Sequence, residues 1–291
     1  MGLADHRDET ERFEETENMG KPLVIYHGGC RDGFCAAWVA HGAMPDAEFF
    51  AGYHGQPPPD VKGRPVYVVD FSYPRPDMER LAKDAGSLTV LDHHKTAEAA
   101  LSDLPGAMVV FDMKRSGAGI AWDVLRGGER PWLVDYVEDR DLWRKSLQDS
   151  DVINSWIGTI PFTFDAWNAA HTDMAQDLFE THDPLTTARV KGRAVLAKVN
   201  QYVTEVRKNA RRTTFHGQDV PIVNAPQVDV SELGHALAQG ELFAMAWWQR
   251  ADGVFQYSLR SIGDFDVSDL AKLHGGGGHK NAAGFQSDVL L

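Results

Sequence analysis

The chain has 291 residues, 43% of them hydrophobic, and a formal charge of −13 from 29 Lys and Arg against 42 Asp and Glu. That length supports a sizeable core and favours two domains over one, while the acidity argues against non-specific binding to long duplex nucleic acid but leaves short phosphate-bearing substrates open. With no run of about 18 apolar residues and no basic-then-apolar leader, neither a membrane span nor secretion is expected, and the cytoplasm is the default.

Residues 1 to 20, "MGLADHRDETERFEETENMG", are acidic, poor in apolar residues and without a regular period, the composition of a disordered tail. Next comes an alternation: "PLVIYH", "GFCAAWVAHGA", "PVYVVD", "MERLAKDAG" and "SLTVLD". Strands that are apolar throughout, separated by helical patterns, predict a parallel sheet covered on both faces. A fourth apolar run, "AMVVFD", leads through "MKRSGAG" to helical "IAWDVLRGG", and "PWLVDYVEDRDLWR" starts as a helix and ends in acids. Residues 184 to 212 carry one long helical pattern, with Pro184 suited to its first turn. Beyond it, "DVPIVNA", "ELFAMAWWQRADG" and "VFQYSLRSIG" alternate with helical "VSELGHALAQG" and "DVSDLAKLHG", and "GGGGHKNAAGF" closes the chain. The predicted fold class is α/β: a parallel-sheet N-terminal domain over 21–183, a long connecting helix over 184–212 and a smaller α+β C-terminal domain over 213–291.

Three of these strands end in polar clusters: His27 through Asp32, Asp70, and Asp92 through His94. Ligands bind beyond the carboxyl ends of the strands in open α/β sheets, so the three clusters are expected to converge at one rim. Imidazoles and carboxylates together form a donor set for Mn²⁺, with Fe²⁺, Co²⁺ and Zn²⁺ as alternatives. The two cysteines, Cys30 and Cys35, have neither disulfide-framework nor CxxC spacing and read as reduced thiols. Arg115 and Ser116, before a predicted helix start, are either a phosphate-binding pair or simply a Ser N-cap beside an exposed Arg. The glycines of "GGGGHK", among them Gly276, Gly277 and Gly278, let backbone N–H groups approach an anion, with His279 and Lys280 adding donors. The tryptophans of "AWWQR" are expected in the core rather than stacked on bases.

"VLDHHKT" resembles the signature of the DHH phosphoesterase superfamily, and "YHGGCRDGFCAA", "VYVVDFS" and "YVEDRDLW" resemble its other N-terminal motifs. "GGGGHKNAAGF" resembles the glycine-rich motif of the DHH-associated domain, and the ordered set spans roughly residues 22 to 286. The subgroup it is most similar to is that of the short-oligonucleotide phosphodiesterases, or nanoRNases. The resemblance implies two Mn²⁺ ions, with Co²⁺ or Mg²⁺ as alternatives. His27 and Asp70 would hold one ion, and Asp32, Asp70, His93 and Asp139 the other, with Asp141 as the alternative to Asp139. Asp92 would orient His93, and His94 would either hydrogen-bond a phosphate oxygen or protonate the leaving group. Where the family's first motif carries two aspartates, this chain has Asp32 and Cys30, leaving three outcomes: a thiolate ligand, a loosely held first metal or a different ion. The implied activity is hydrolysis of short oligonucleotides or dinucleotides to nucleoside monophosphates, and a homodimer is compatible with it. The runner-up activities are a phosphomonoesterase on bisphosphorylated nucleotides and a catalytically weak nucleotide-binding protein.

Overall fold

The three strands that end in polar residues are neighbours in one sheet. The computed structural model describes residues 20–183 and 185–291, so the acidic tail up to Met19 and Pro184 lie outside the described residues. Two compact units are present: the first holds the described residues up to His93 with Ala100–Ser150 and Ile160–Thr172, and the second holds His94–Ala99, Asp151–Thr159 and the described residues from Asp173 to Leu291.

In the first unit β1 (Leu23–His27), β2 (Glu48–Gly52), β3 (Pro65–Val69), β4 (Ser87–Asp92) and β5 (Met108–Phe111) form a five-stranded sheet in the order β2-β1-β3-β4-β5. Every pairing is parallel. The interior strands are apolar without alternation because both faces are covered: Val24, Ile25, Val68, Val69, Val90 and Leu91 are all fully buried. The edge strand β2, "EFFAG", was not among the predicted elements; it is short and half-buried, with too few residues to show a period.

Helix α1 (Arg31–Ala43) follows β1, and α2 (Arg75–Asp84) follows β3. After α3 (Lys95–Leu101) come α4 (Gly117–Leu125) and α5 (Trp132–Asp141), which answer to the predicted "IAWDVLRGG" and "PWLVDYVED". Nine consecutive residues of α1, Asp32 to Ala40, are buried, so this helix lies within the core rather than on its surface. Phe34 and Trp38 pack against Trp167 in this unit, and Trp38 Nε1 donates to Asn168 Oδ1 at 2.8 Å.

Two further helices, α6 (Ser150–Ile157) and α7 (Phe164–Thr181), precede α8 (Thr186–Val206). The long helical pattern overran its element. It breaks into a 3-10 turn at Arg207–Asn209, and β6 (Arg211–Phe215) begins inside the stretch read as helix. The cause is a hairpin: His216 and Gly217 both have positive φ, 49° and 76°, the two-residue turn that matches strand twist and joins β6 to β7 (Gln218–Asn224).

The second unit's sheet is completed by β8 (Ala244–Gln249), β9 (Phe255–Arg260), β10 (Gly277–His279) and β11 (Ala282–Ser287), in the order β10-β11-β9-β8-β7-β6. Only β7 and β8 pair in parallel; the other pairings are antiparallel. Strand alternation sorts the side chains between two faces. Ile222, Met245, Tyr257, Leu259 and Phe285 join α10 (Val267–Leu273) in one core, while Val223, Ala246 and Leu233 of α9 (Val230–Leu237) form another with Val203 and Val206 of α8. Trp247 packs against the first core beside Phe255, with ring centroids 5.8 Å apart. Among the described residues no helix is long and apolar enough to cross a membrane.

Candidate metal centre

Parallel register sets the centre of the first unit. Tyr26 lies opposite Val69 and Val69 opposite Leu91, so the next positions, His27, Asp70 and Asp92, follow one another across three adjacent strands at the carboxyl edge. Asp70 turns there with φ 53°, a left-handed conformation that Asp tolerates better than most residues, and its N–H donates to Leu91 O at 2.8 Å. Asp70 Oδ2 is 3.5 Å from His27 Nδ1 and Oδ1 is 3.1 Å from His93 Nε2, so its two oxygens address two different imidazoles.

Asp32 enters from the first turn of α1 and Asp141 from the last residue of α5. His93 Nε2 lies 3.6 Å from Asp32 Oδ2 and 3.4 Å from Asp141 Oδ2. Among the donor groups that the described residues form are His27 with Cys30 and Asp70, and Asp32 with His93 and Asp141, each with ligand atoms within 4.8 Å of one another. Asp32, Asp70 and His93 are each only 1% exposed, whereas the side chains of His27 and Asp141 are 23% and 25% exposed, which leaves the centre one accessible edge.

The electrostatics fit a cation. Burial, followed by the Asp70 and Asp141 carboxylates, pushes Asp32 well above the ordinary carboxylate range, and burial and Asp70 likewise raise the Cys30 thiol. Burial works to lower His27 and His93, but Cys30 and Asp70 at the first, and Asp70, Asp141 and Asp32 at the second, carry both well above the ordinary imidazole value. Like charges crowded in a dry site favour bound protons, and a divalent ion among the same atoms satisfies them instead. The donor set of imidazole nitrogens and carboxylate oxygens suits a divalent transition metal.

Hydrogen bonds hold these candidate ligands in place. Both Asp32 oxygens accept N–H groups from the start of α4, Gly117 N at 2.6 Å and Ala118 N at 3.0 Å. Asp92 Oδ1 accepts the N–H of His93 at 2.7 Å and its Oδ2 accepts the Ser72 hydroxyl at 2.7 Å, so Asp92 positions His93 through the main chain. Gly117 is required here: a Cβ would stand 2.3 Å from Asp70 Cβ. Gly117→Ala is expected to cost about 1–3 kcal/mol of stability by overpacking, and to weaken metal binding, as read by urea unfolding and metal titration.

Asp139, the favoured fourth ligand in sequence, is not brought to this centre. Its Oδ1 accepts from Ser146 N at 2.9 Å and Ser146 Oγ at 2.8 Å, and its Oδ2 accepts from Ser150 Oγ at 2.5 Å. Burial acts to raise its pKa, but these bonds, from Ser150 first, hold it below the ordinary carboxylate value. It anchors the loop after α5, and Asp141 takes the position facing His93.

The phosphate-binding reading of Arg115 and Ser116 also meets a competing use. Arg115 is held by Asp112 and Asp123, each at 2.8 Å. Ser116 is fully buried and caps α4 by accepting Gly119 N at 3.1 Å, while the next free N–H groups go to Asp32. Its own N–H donates to Glu138 Oε2 at 3.0 Å. Glu138 was not singled out in sequence; it is paired with Arg130 at 3.2 Å and Arg144 at 3.1 Å and steadies the same helix start.

The remaining predicted residues belong to the second unit. His94 stacks on His279, with centroids 4.6 Å apart and planes at 17°, and Lys95 pairs with Asp266 at 2.5 Å. The glycine run is a strand and hairpin rather than a loose loop. Gly276 and Gly278 lie so close to β11 that a Cβ would sit 2.1 Å from Gly284 O and 2.6 Å from Ala282 O, respectively, and Gly277 lies beside Thr96.

No family model matches the chain. An uncharacterized protein of Acanthamoeba polyphaga mimivirus is 26% identical over 286 residues, covering 90% of this chain; the chain spans 66% of that relative's length. Among solved structures, the DHH domain of a member of the s1p family of ribosomal proteins aligns with a TM-score of 0.56 at 14% identity, over 91% of this chain and 82% of that one. An exopolyphosphatase-related protein from Bacteroides fragilis aligns with a TM-score of 0.52 at 14% identity, over 99% of this chain and 94% of its own. At such identities the likeness speaks to the fold.

Proposed function

We propose, from the premise that this chain has the fold of the DHH phosphoesterase superfamily, that it is a two-metal phosphohydrolase cleaving short oligonucleotides or dinucleotides to nucleoside monophosphates. The observation that carries the reading is the set His27, Asp70, Asp32, His93 and Asp141, converging at the carboxyl edge of the parallel sheet with Asp70, Asp32 and His93 buried. His27 and Asp70 would hold one ion and Asp32, His93 and Asp141 the other, with Asp70 facing both. Mn²⁺ is the ion proposed, and divalent cations there would supply Lewis acidity, making water a nucleophile at neutral pH and offsetting the charge that builds on phosphorus.

The chain's own groups would do the rest. Main-chain bonds to Asp32 and His93 keep those ligands from reorganising. His94 is the proposed contact to a phosphate oxygen or the donor of a proton to the leaving oxygen, and His279 with the strand at Gly277 the proposed binding surface for a further phosphate. A cytoplasmic setting belongs to the proposal and accords with two cysteines that form no disulfide.

Product analysis tests it. Purified protein with Mn²⁺ and a panel of di- to pentanucleotides, cyclic dinucleotides and bisphosphorylated nucleotides is expected to release mononucleotides from the short diesters. Inorganic phosphate from the bisphosphorylated nucleotides alone would replace the diesterase reading with a monoesterase one. Nucleotide binding with no turnover on any member would replace it with a binding module.

A further inference from the structure

The first donor group is chemically unlike the second. His27, Cys30 and Asp70 offer a ring nitrogen, a sulfur and a carboxylate oxygen within 4.8 Å of one another, whereas Asp32, His93 and Asp141 offer nitrogen and oxygen alone. Cys30 stands at the N-cap of α1 in extended backbone, φ −107° and ψ 139°, and its side chain makes no capping bond, so the helix does not use the sulfur. It is partly exposed, while Cys35 is buried within α1 and belongs to neither group. A divalent ion deprotonates the thiol that coordinates it.

Resting on the two-metal reading above, we infer that Cys30 is a thiolate ligand of the first ion and makes the two positions select different metals. When both are offered, a nitrogen, sulfur and oxygen set prefers a thiophilic ion such as Zn²⁺ or Co²⁺ and the carboxylate-rich second set retains Mn²⁺, while a single ion at saturation fills both. Cys30 then substitutes for a carboxylate without emptying the position: the sulfur still brings one negative charge to the ion.

Cobalt titration of the reduced, metal-free, full-length chain tests this, followed by bound cobalt per chain and by absorption. The expected result is two cobalt ions per chain and a near-ultraviolet sulfur-to-cobalt charge-transfer band that is complete with one of them. The band should persist in Cys35→Ser and vanish in Cys30→Ser and Cys30→Asp, with circular dichroism unchanged. Cys30→Ser should also weaken Zn²⁺ binding by about tenfold or more, on the order seen when a metal's coordination is perturbed. Two bound cobalt ions without the band, or a band that survives in Cys30→Ser, overturn the Cys30 assignment and leave the two-metal reading standing. A chain that binds no cobalt overturns both. Should the Cys30 variants misfold, alkylation of the unaltered chain decides: bound Zn²⁺ should slow carboxymethylation of Cys30 about tenfold, and an unchanged rate overturns the assignment.

Discussion

Asp70→Asn is expected to lower phosphodiester hydrolysis by roughly a thousandfold or more, about 4 kcal/mol at 1.36 kcal/mol per factor of ten. Asp70 faces both donor groups, with Oδ2 toward His27 and Oδ1 toward His93. Asparagine keeps the shape and tolerates the φ of 53°, so the backbone should hold while the carboxylate that faces both donor groups is replaced by a neutral amide. Bound metal measured by equilibrium dialysis should fall from two ions per chain to one or none, with an unchanged circular dichroism spectrum. A variant that kept two ions and activity within tenfold of the parent would remove Asp70 from the residues proposed to hold the ions.

The second large effect separates two aspartates that sit two residues apart. Asp141→Asn is expected to lose the second ion and most activity, roughly a hundredfold or more, because its Oδ2 is 3.4 Å from His93 Nε2 in the second donor group. Asp139→Asn is expected to keep both ions and to lose stability instead, about 1.5–3 kcal/mol, since the Asp139 carboxylate accepts from Ser146 and Ser150. Its pKa is lower in the folded chain, so this contribution is complete above the unfolded carboxylate value and is lost as pH falls through the folded one. Urea unfolding at neutral and acid pH should therefore show a smaller difference between the two conditions for Asp139→Asn than for the parent. Loss of a metal in Asp139→Asn with full binding in Asp141→Asn would reverse the two roles.

The confusion between these aspartates shows where sequence reading stops. The resemblance pointed to an acid of "EDRD"; which of them faces His93 depends on helical phase. Val134 and Val137, both buried, are spaced 7 and 4 residues before Asp141, so the three share one stripe of α5, and Asp139 points elsewhere. That stripe was present in the sequence and is the signal that finds Asp141. No comparable signal marks Ser146 and Ser150 as partners of Asp139, because they reach it by a loop that turns back after α5.

The parallel sheet was legible for a stronger reason. Interior strands such as β1, β3 and β4 are mostly apolar and each ends in, or is followed at once by, a polar residue, His27, Asp70 or Asp92, which locates the strand end as well as the strand. Strands without that contrast were missed: β2 is half-buried, β6 is "RRTTF", and β10 is three residues of a glycine run. In β10 the glycines answer to the close approach of β11, a long-range cause that local composition does not carry. Arg115 and Ser116 show the same limit. A Ser before a helix start was read equally well as cap or anion site, and the choice was made by Asp32, 85 residues from Gly117, whose N–H it accepts.

The two-ion centre is tested most directly by anomalous diffraction at the manganese edge from crystals of the full chain equilibrated with Mn²⁺ at saturating concentration. The predicted result is two peaks, one bounded by His27 and Asp70 and the other by Asp32, His93 and Asp141, with Asp70 between them. A map with no peak among these residues, or with manganese beside Asp139 instead, would contradict it.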